Sequence, residues 1–128
     1  MGKFSEEKVA RILAFAATLA ERHPKAFPSG KPGNTSIVLK IGIHFDMYAL
    51  YPDVPKRTVH SLMSWHTRSA KYLEAAGVAG TPRVDLDGNN AGEVTEEQAA
   101  AARENLAERK ARSKSAKAAA RKANLSHS

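Results

Sequence analysis

The chain has 128 residues, of which 42% are hydrophobic, and its formal net charge is +7. This length fits one domain with a modest core and a tail, so a second domain is not expected. The absence of cysteine excludes disulfides, thiolate metal sites and cysteine nucleophiles, and no signal-like or membrane-spanning apolar stretch is visible, so a soluble cytoplasmic protein is expected.

The first predicted helix begins at an N-cap signal. Ser5 precedes Glu6 and Glu7, which complement the positive end of a helix dipole. The helix should end near His23, because Pro24 follows. Its apolar residues recur at helical spacing and predict a buried stripe of Val9, Ile12, Leu13, Ala16, Leu19 and Ala20.

A loop and an ambiguous segment follow this helix. Residues 26–34 contain two prolines and two glycines and are predicted to form a loop. The segment Ile37–Ile43 is rich enough in β-branched residues to form a strand, whereas His44–Leu50 favours a short helix. Periodicity leaves the boundary between the two open.

Two further helices are predicted in the centre of the chain. Asp53-Val54-Pro55 is a typical helix start, with Pro55 in the first turn. Thr67 is then predicted to cap a short helix, Arg68–Ala76, that stops at Gly77. The buried stripe of the longer helix should consist of Val59, Leu62, Met63 and His66.

A hairpin and a long helix complete the chain. Residues 82–86 and 91–94 flank Asp87-Gly88-Asn89-Asn90, which predicts a tight turn between two strands. Thr95-Glu96-Glu97-Gln98 is a capping box for the last helix, and alanine-rich sequence extends its helix propensity to Arg112 or even Lys122. We therefore divide the chain into a domain, residues 1–108, and a basic tail, residues 109–128, that is either a helical extension or disordered.

Charge is strongly segregated along the sequence. Residues 109–128 carry seven basic residues and no acid, which accounts for the whole excess. Residues 22–83 hold nine basic residues against three acids, whereas residues 85–108 hold seven acids against Arg103 alone. Such segregation favours a basic surface that faces a polyanion, although charge on ordinary solvated helices remains an alternative.

The sequence contains no strong motif for catalysis or metal binding. No Walker loop, dinucleotide fingerprint or HExxH motif occurs, so no enzyme activity and no cofactor are predicted. His60 and His66 are six residues apart, which does not fit the i, i+4 spacing of a helical zinc site. The carboxylates around Asp85 and Asp87 resemble a calcium loop, but Asn90 stands where the sharp turn needs glycine, so a hairpin turn is favoured.

The segment from Thr67 to Tyr72 suggests a phosphate site. If Thr67 caps a helix, the backbone N–H groups of Arg68, Ser69 and Ala70 are free to bind an anion. Lys71 or Arg68 can then neutralise a second phosphate. Tyr72 offers either a ring on which a terminal base or ribose can rest or a hydroxyl that can hydrogen-bond it. The alternative, from these residues alone, is an ordinary cap with Tyr72 packed on the core.

Several motifs in order resemble the ProQ/FinO family of RNA chaperones. They are Leu39-Lys40-Ile41-Gly42-Ile43 with Asp46, Tyr72-Leu73, Arg83-Val84-Asp85-Leu86-Asp87-Gly88 and Gly92-Glu93-Val94. The resemblance covers roughly residues 9–112. It implies a mainly α-helical, compact domain with a small β-hairpin and a concave RNA-binding face. The implied ligands are terminator-like hairpins with a single-stranded 3′ uridine tail, and the implied activities are RNA duplexing and 3′-end protection.

The same resemblance assigns roles to individual residues. Lys40 would stand beside the concave face, Tyr72 and Arg83 would line a pocket for the 3′-terminal nucleotides, and Lys71 would replace an arginine common there. Thr67 and Ser69 match a hydroxyl-rich helix start that meets the terminal phosphates, and Arg68 between them is also expected to bind RNA. Lys56, Arg57 and His60 would follow the duplex, where His60 and Ser64 replace arginines of relatives. Asp85 and Asp87 are expected to hold the hairpin and Arg83. Non-specific RNA contacts are expected from the tail residues Arg109, Lys110, Arg112, Lys114 and Lys117.

Two other classes of function stay open at this point. A histone-like or helix-turn-helix protein would place residues 55–66 in a DNA major groove, although Ser61, Ser64 and His60 offer few base-reading side chains. A protein-interaction module would instead use the alanine-rich last helix as a docking surface. No membrane association is predicted, and a monomer is expected.

Overall fold

The computed structural model describes residues 5–126, with side chains as far as residue 122. The predicted tail therefore extends two residues beyond this range. None of the described helices combines the length and apolarity needed to cross a membrane. The elements, in chain order, are α1 (Glu6–Arg22), β1 (Val38–Leu39), α2 (Ile43–Leu50), α3 (Lys56–Thr67), α4 (Ala70–Ala76), β2 (Pro82–Val84), β3 (Asn90–Glu93) and α5 (Glu96–Ser126). The mainly helical prediction is confirmed.

Helix α1 has the predicted ends and most of the predicted buried face. The Lys8 N–H donates to the Ser5 hydroxyl over 3.1 Å, and the helix stops at Arg22 before Pro24. The buried residues are Ile12, Phe15, Ala16 and Leu19, whereas Leu13 is 39% exposed. The prediction of Leu13 was wrong because Phe15, three residues after Ile12 and four before Leu19, completes the stripe that faces α3.

The predicted hairpin is confirmed, and a third strand joins it. Strands β2 and β3 pair antiparallel, and β1 pairs parallel with β2, with Val38 opposite Arg83. Within the ambiguous segment only Val38–Leu39 forms a strand, and both residues are buried. The turn is closed by Asp85, whose Oδ1 accepts from the N–H groups of Asp87 and Asn89, each over 2.9 Å.

The junction of α3 and α4 differs from the prediction. Thr67 is the last residue of α3, and its hydroxyl donates to the Met63 carbonyl over 2.8 Å. The N-cap of α4 is Ser69, and the helix begins at Ala70 rather than Arg68, although it ends before Gly77 as predicted. A threonine hydroxyl can bond to the carbonyl four residues earlier, and this bond removes Thr67 from the capping role.

Helix α5 begins at the predicted capping box. The Gln98 N–H donates to the Thr95 hydroxyl over 3.1 Å, and the Thr95 N–H donates to Gln98 Oε1 over 3.0 Å. Residues 109–126 continue the same helix. Leu106 is the last apolar side chain packed against the core, and the described side chains after it are exposed. The division between domain and tail stays a prediction, but it lies close to the point where this packing ends.

Candidate nucleic-acid interface

A cavity of about 370 Å³ opens where the segment after β1 faces α3 and β2. It is called the pocket below. Six of the ten residues predicted to bind RNA in the domain line it, and they come from separate parts of the chain. These six are Lys40, His60, Thr67, Arg68, Tyr72 and Arg83. The other lining residues are Leu39, Ile41, Gly42, Ile43, His44, Tyr48, Met63 and Ser64.

Tyr72 presents its hydroxyl rather than a free ring face. The side chain is only 6% exposed, and its ring lies edge-on to the His66 ring at a centroid distance of 5.4 Å. The Leu39 N–H donates to the Tyr72 hydroxyl over 3.1 Å. Burial raises the pKa of Tyr72, and the bond from Leu39 and the charge of Arg83 only partly oppose this rise, so the phenol stays neutral at physiological pH. The geometry favours hydrogen bonding by Tyr72 over base stacking.

Arg83 lines the pocket and connects strand β2 to β1 and α5. Its Nη1 donates to the Leu39 carbonyl over 2.8 Å, and its Nη2 donates to Gln98 Oε1 over 3.1 Å. The buried Nε has no hydrogen-bond partner within the described part of the chain. The expectation that Asp85 and Asp87 hold Arg83 was wrong, because Asp85 is occupied by its own turn and Gln98 takes the arginine instead.

Lys40, which lines the pocket, is paired with an acid. Its Nζ lies 2.9 Å from Asp46 Oδ2, and both side chains are more than one-third exposed. Such an exposed pair contributes little to stability, so its main effect is to orient the ammonium group. Asp46 also reduces the net positive charge at this edge.

The α3–α4 side of the pocket carries only part of the predicted phosphate site. Thr67 and Arg68 line the pocket, but the Arg68 N–H donates to the Ser64 carbonyl over 3.2 Å and is not free for an anion. The Ser69 hydroxyl donates to the Trp65 carbonyl over 2.8 Å, outside the pocket lining. The anion site predicted from three free N–H groups is therefore incomplete.

The remaining predicted contacts lie outside the pocket. The Lys56 ammonium is 5.3 Å from the centroid of the Tyr48 ring, which places it at the pocket edge because Tyr48 is a lining residue. Arg57 and Lys71 are exposed and do not line the pocket. They are available to a ligand that extends beyond it.

Comparison with known proteins identifies the family of this fold. A model of the ProQ/FINO family matches residues 9–119. The chain belongs to the ProQ/FinO family. Curated relatives include the RNA chaperone ProQ of Aliivibrio fischeri strain MJ11, which is 38% identical over 114 residues that make up 84% of this chain and 51% of that protein. The chain thus spans about half the length of the curated relatives it matches.

Solved structures give the same fold for this ProQ/FinO chain. A ProQ homolog from Legionella pneumophila is 30% identical and has a TM-score of 0.63, over 85% of this chain and 88% of the homolog. A FinO-like RNA chaperone from Neisseria meningitidis MC58 has a TM-score of 0.64 over 79% of this chain and 80% of that one. Its sequence identity of 23% makes this second likeness evidence for the fold alone.

Sequence reasoning missed an aromatic surface next to the ProQ/FinO pocket. Phe45 is 65% exposed and Ile41 is 64% exposed, although both are large apolar residues. The Phe45 ring lies 4.1 Å from the His44 ring and 5.9 Å from the Tyr48 ring, measured between centroids. The signal in the sequence was three rings within five residues, which is more than the single buried face of a short helix can accommodate. Exposed rings of this kind can stack on unpaired bases.

The predicted tail residues separate onto two faces of α5. Arg109 and Arg112 line a second cavity that also contains Thr67 and Arg68. Lys110, Lys114 and Lys117 line a different surface of the helix. The tail of this ProQ/FinO chain therefore does not present its charge uniformly.

Proposed function

We propose that this chain is an RNA-binding protein and RNA chaperone that recognises structured RNA. Its preferred ligands would be intrinsic-terminator-like hairpins with a single-stranded 3′ uridine tail, as found in small regulatory RNAs and at message 3′ ends. It would protect 3′ ends and promote duplexing between RNAs in post-transcriptional regulation, acting as a cytoplasmic monomer.

One observation carries this proposal: residues assigned to a 3′-end pocket converge on one cavity. Arg83 and Arg68 bring guanidinium groups to it, and Tyr72 and Thr67 bring hydroxyls. Charged donors suit phosphate oxygens, and hydroxyls suit the 2′ and 3′ hydroxyls of a terminal ribose. The aromatic surface around Phe45 adds a place for unpaired bases, which supports a single-stranded tail as the ligand.

The stem of the hairpin would be recognised by shape. A-form RNA hides its base edges in a deep, narrow groove, so side chains reach mainly phosphates and 2′ hydroxyls. Lys56 and Arg57 begin α3 and are exposed, with Lys56 at the pocket edge, and they suit the backbone of a duplex. Phosphate contacts of this kind give affinity that falls steeply with salt.

The first test compares three forms of one terminator-like hairpin at two salt concentrations. One form has a uridine tail with a free 3′ hydroxyl, one ends in a 3′ phosphate, and one lacks the tail. We expect tight binding of the first form and roughly ten- to hundredfold weaker binding of the other two, because the pocket contributes on the order of 1–3 kcal/mol. Equal binding to all three, and to duplex DNA, would contradict the proposal and leave a non-specific basic DNA-binding protein.

Two variants connect this preference to the pocket. Arg83→Met and Tyr72→Phe should each reduce the advantage of the free 3′ end, since they remove the guanidinium and the hydroxyl while keeping most of the side-chain volume. Arg11→Ala, which removes one positive charge from the exposed face of α1, serves as the matched control. Because Arg83 also bonds to Leu39 and Gln98, circular dichroism and thermal unfolding must first show that the variant is folded.

The lysines of the tail should act without selectivity. Replacing Lys110, Lys114 and Lys117 with glutamine should lower affinity for all three hairpins alike, by roughly three- to tenfold, and should reduce its salt dependence. Annealing of complementary RNAs should also slow, because fewer cations offset the repulsion between strands. Unchanged affinity and annealing rates would contradict a role of these lysines.

A further inference from the structure

A second cleft of about 450 Å³ adjoins the pocket on the side of α5. It shares Thr67 and Arg68 with the pocket, so the two cavities meet at the end of α3. Its other lining residues are Leu73, Asn105, Glu108, Arg109 and Arg112. Nothing in the predicted 3′-end site requires this cleft.

The sequence of α5 explains why particular residues face the second cleft. Helix α4 packs against α5 and fixes which side of α5 is turned toward the domain. Positions 105, 108, 109 and 112 are separated by three or four residues and so share one face of a helix. Positions 110, 114 and 117 follow the same spacing on the opposite face. One face of the basic helix thus borders the cleft beside the domain, and the face of the lysines is turned away from it, although the side chains on both faces are exposed.

The charge of the second cleft is positive. Arg68, Arg109 and Arg112 outnumber Glu108. Neither Arg109 nor Arg112 has a salt-bridge partner among the described residues, so both guanidinium groups are available to an anion. Thr67 and Asn105 add polar side chains to the same wall. Arginine is well suited to phosphate because its planar fork donates two parallel hydrogen bonds.

We propose that the second cleft binds the ribose-phosphate backbone of RNA nucleotides next to those held in the pocket. Arg109 and Arg112 then make defined backbone contacts, unlike the lysines on the opposite face of α5. The inference rests on the proposed RNA-binding function and extends it, because it gives the strand a continuous path from the pocket across Thr67 and Arg68. It also makes α5 beyond residue 108 a part of the binding site.

The test compares two double variants of the full chain that remove the same charge from the same helix. One is Arg109→Ala with Arg112→Ala, and the other is Lys114→Ala with Lys117→Ala. Alanine retains the helix, so both proteins should fold, which thermal unfolding verifies. For the tailed hairpin we expect the arginine pair to weaken binding at least about tenfold and the lysine pair no more than about threefold. Equal losses would overturn the proposal.

Replacing single phosphates of the RNA with neutral groups locates the contact along the strand. Methylphosphonate groups are placed one at a time along the tail and the adjoining stem, and the affinity loss at each position is measured with both double variants. At one or two neighbouring positions the loss should disappear in the arginine variant and persist in the lysine variant. If methylphosphonate substitution still lowered the affinity at every position in both variants, the proposal of a defined backbone contact would be overturned. The preference of the unmodified chain for a free 3′ hydroxyl reports separately on the proposed function.

Discussion

Lowering the pH from 6.5 to 4 should remove about 3 kcal/mol of folding free energy through His66 alone. His66 is 2% exposed, and burial lowers its pKa from 6.5 to about 4. Its Nδ1 accepts from the Gly33 N–H over 2.8 Å, so protonation would place two donors against each other. The stabilising contribution is therefore complete only well above pH 6.5, where His66 is neutral in both the folded and the unfolded state. It begins to fall as the unfolded state protonates near pH 6.5 and is lost by the time the pH has fallen through the folded pKa of about 4.

Urea unfolding at a series of pH values would measure this loss. The matched variant is His66→Asn, whose side-chain oxygen lies near the position of Nδ1 and can still accept from Gly33 but does not titrate. The variant should be less stable at neutral pH because it fills less space, yet its stability should change less between pH 6.5 and 4. All other titratable groups are common to the two proteins, so their contributions cancel in the difference. If the free energy of unfolding fell equally with pH in the two proteins, His66 would not be the source of the loss of stability.

Local signals in the sequence predicted most of the helices and the hairpin. The Ser5 cap, the Thr95 capping box and the Asp85 turn each depend on residues within five positions of one another, and all three are present. Thr67 shows the limit of such reasoning, because a hydroxyl at a helix end can bond forward to an N–H or back to a carbonyl. Sequence alone does not decide between them.

Contacts between distant parts of the chain were not predictable in the same way. Arg83 donates to Leu39, which is 44 positions earlier, and the Leu39 N–H donates to Tyr72. The parallel pairing of β1 with β2 arises from the same long-range packing. The family resemblance assigned Tyr72 and Arg83 to a pocket, and the residues alone left open whether the Tyr72 ring packs on the core. The structure shows that it does and that Gln98 accepts a hydrogen bond from Arg83.

The exposed apolar residues illustrate another limit. Gly42 has a φ of +83° and precedes α2, and Ile43 is buried on one side of it while Ile41 is exposed on the other. Alternation and periodicity assign both isoleucines equally well to a core. Only the position of the turn distinguishes the two, since both residues line the pocket.

Gly33→Ala should destabilise the fold by about 3 kcal/mol. Alanine is strained in the left-handed backbone conformation at this position, and its Cβ would overlap with Ser69. Gly33 has a φ of +80°, and a Cβ there would lie 1.9 Å from Ser69 Oγ and 2.3 Å from Ser69 Cβ. Ser69 cannot rotate away without losing its 2.8 Å bond to the Trp65 carbonyl, and moving its Cβ requires the backbone to shift. Displacing the loop would also break the bond from Gly33 to His66.

Gly80→Ala is the matched control for the overlap. Gly80 has a φ of +86°, but a Cβ there would meet nothing within 4 Å, so only the backbone cost of about 1 kcal/mol is expected. Adding Ser69→Gly to Gly33→Ala should recover the steric part of the loss and leave the backbone part. Urea unfolding of the single and double variants measures both parts, and equal losses for Gly33→Ala and Gly80→Ala would exclude a close approach.

Because Ser69 follows Thr67 and Arg68, the same contact fixes the point where the pocket meets the second cleft, and RNA affinity should weaken in Gly33→Ala even where the protein remains folded.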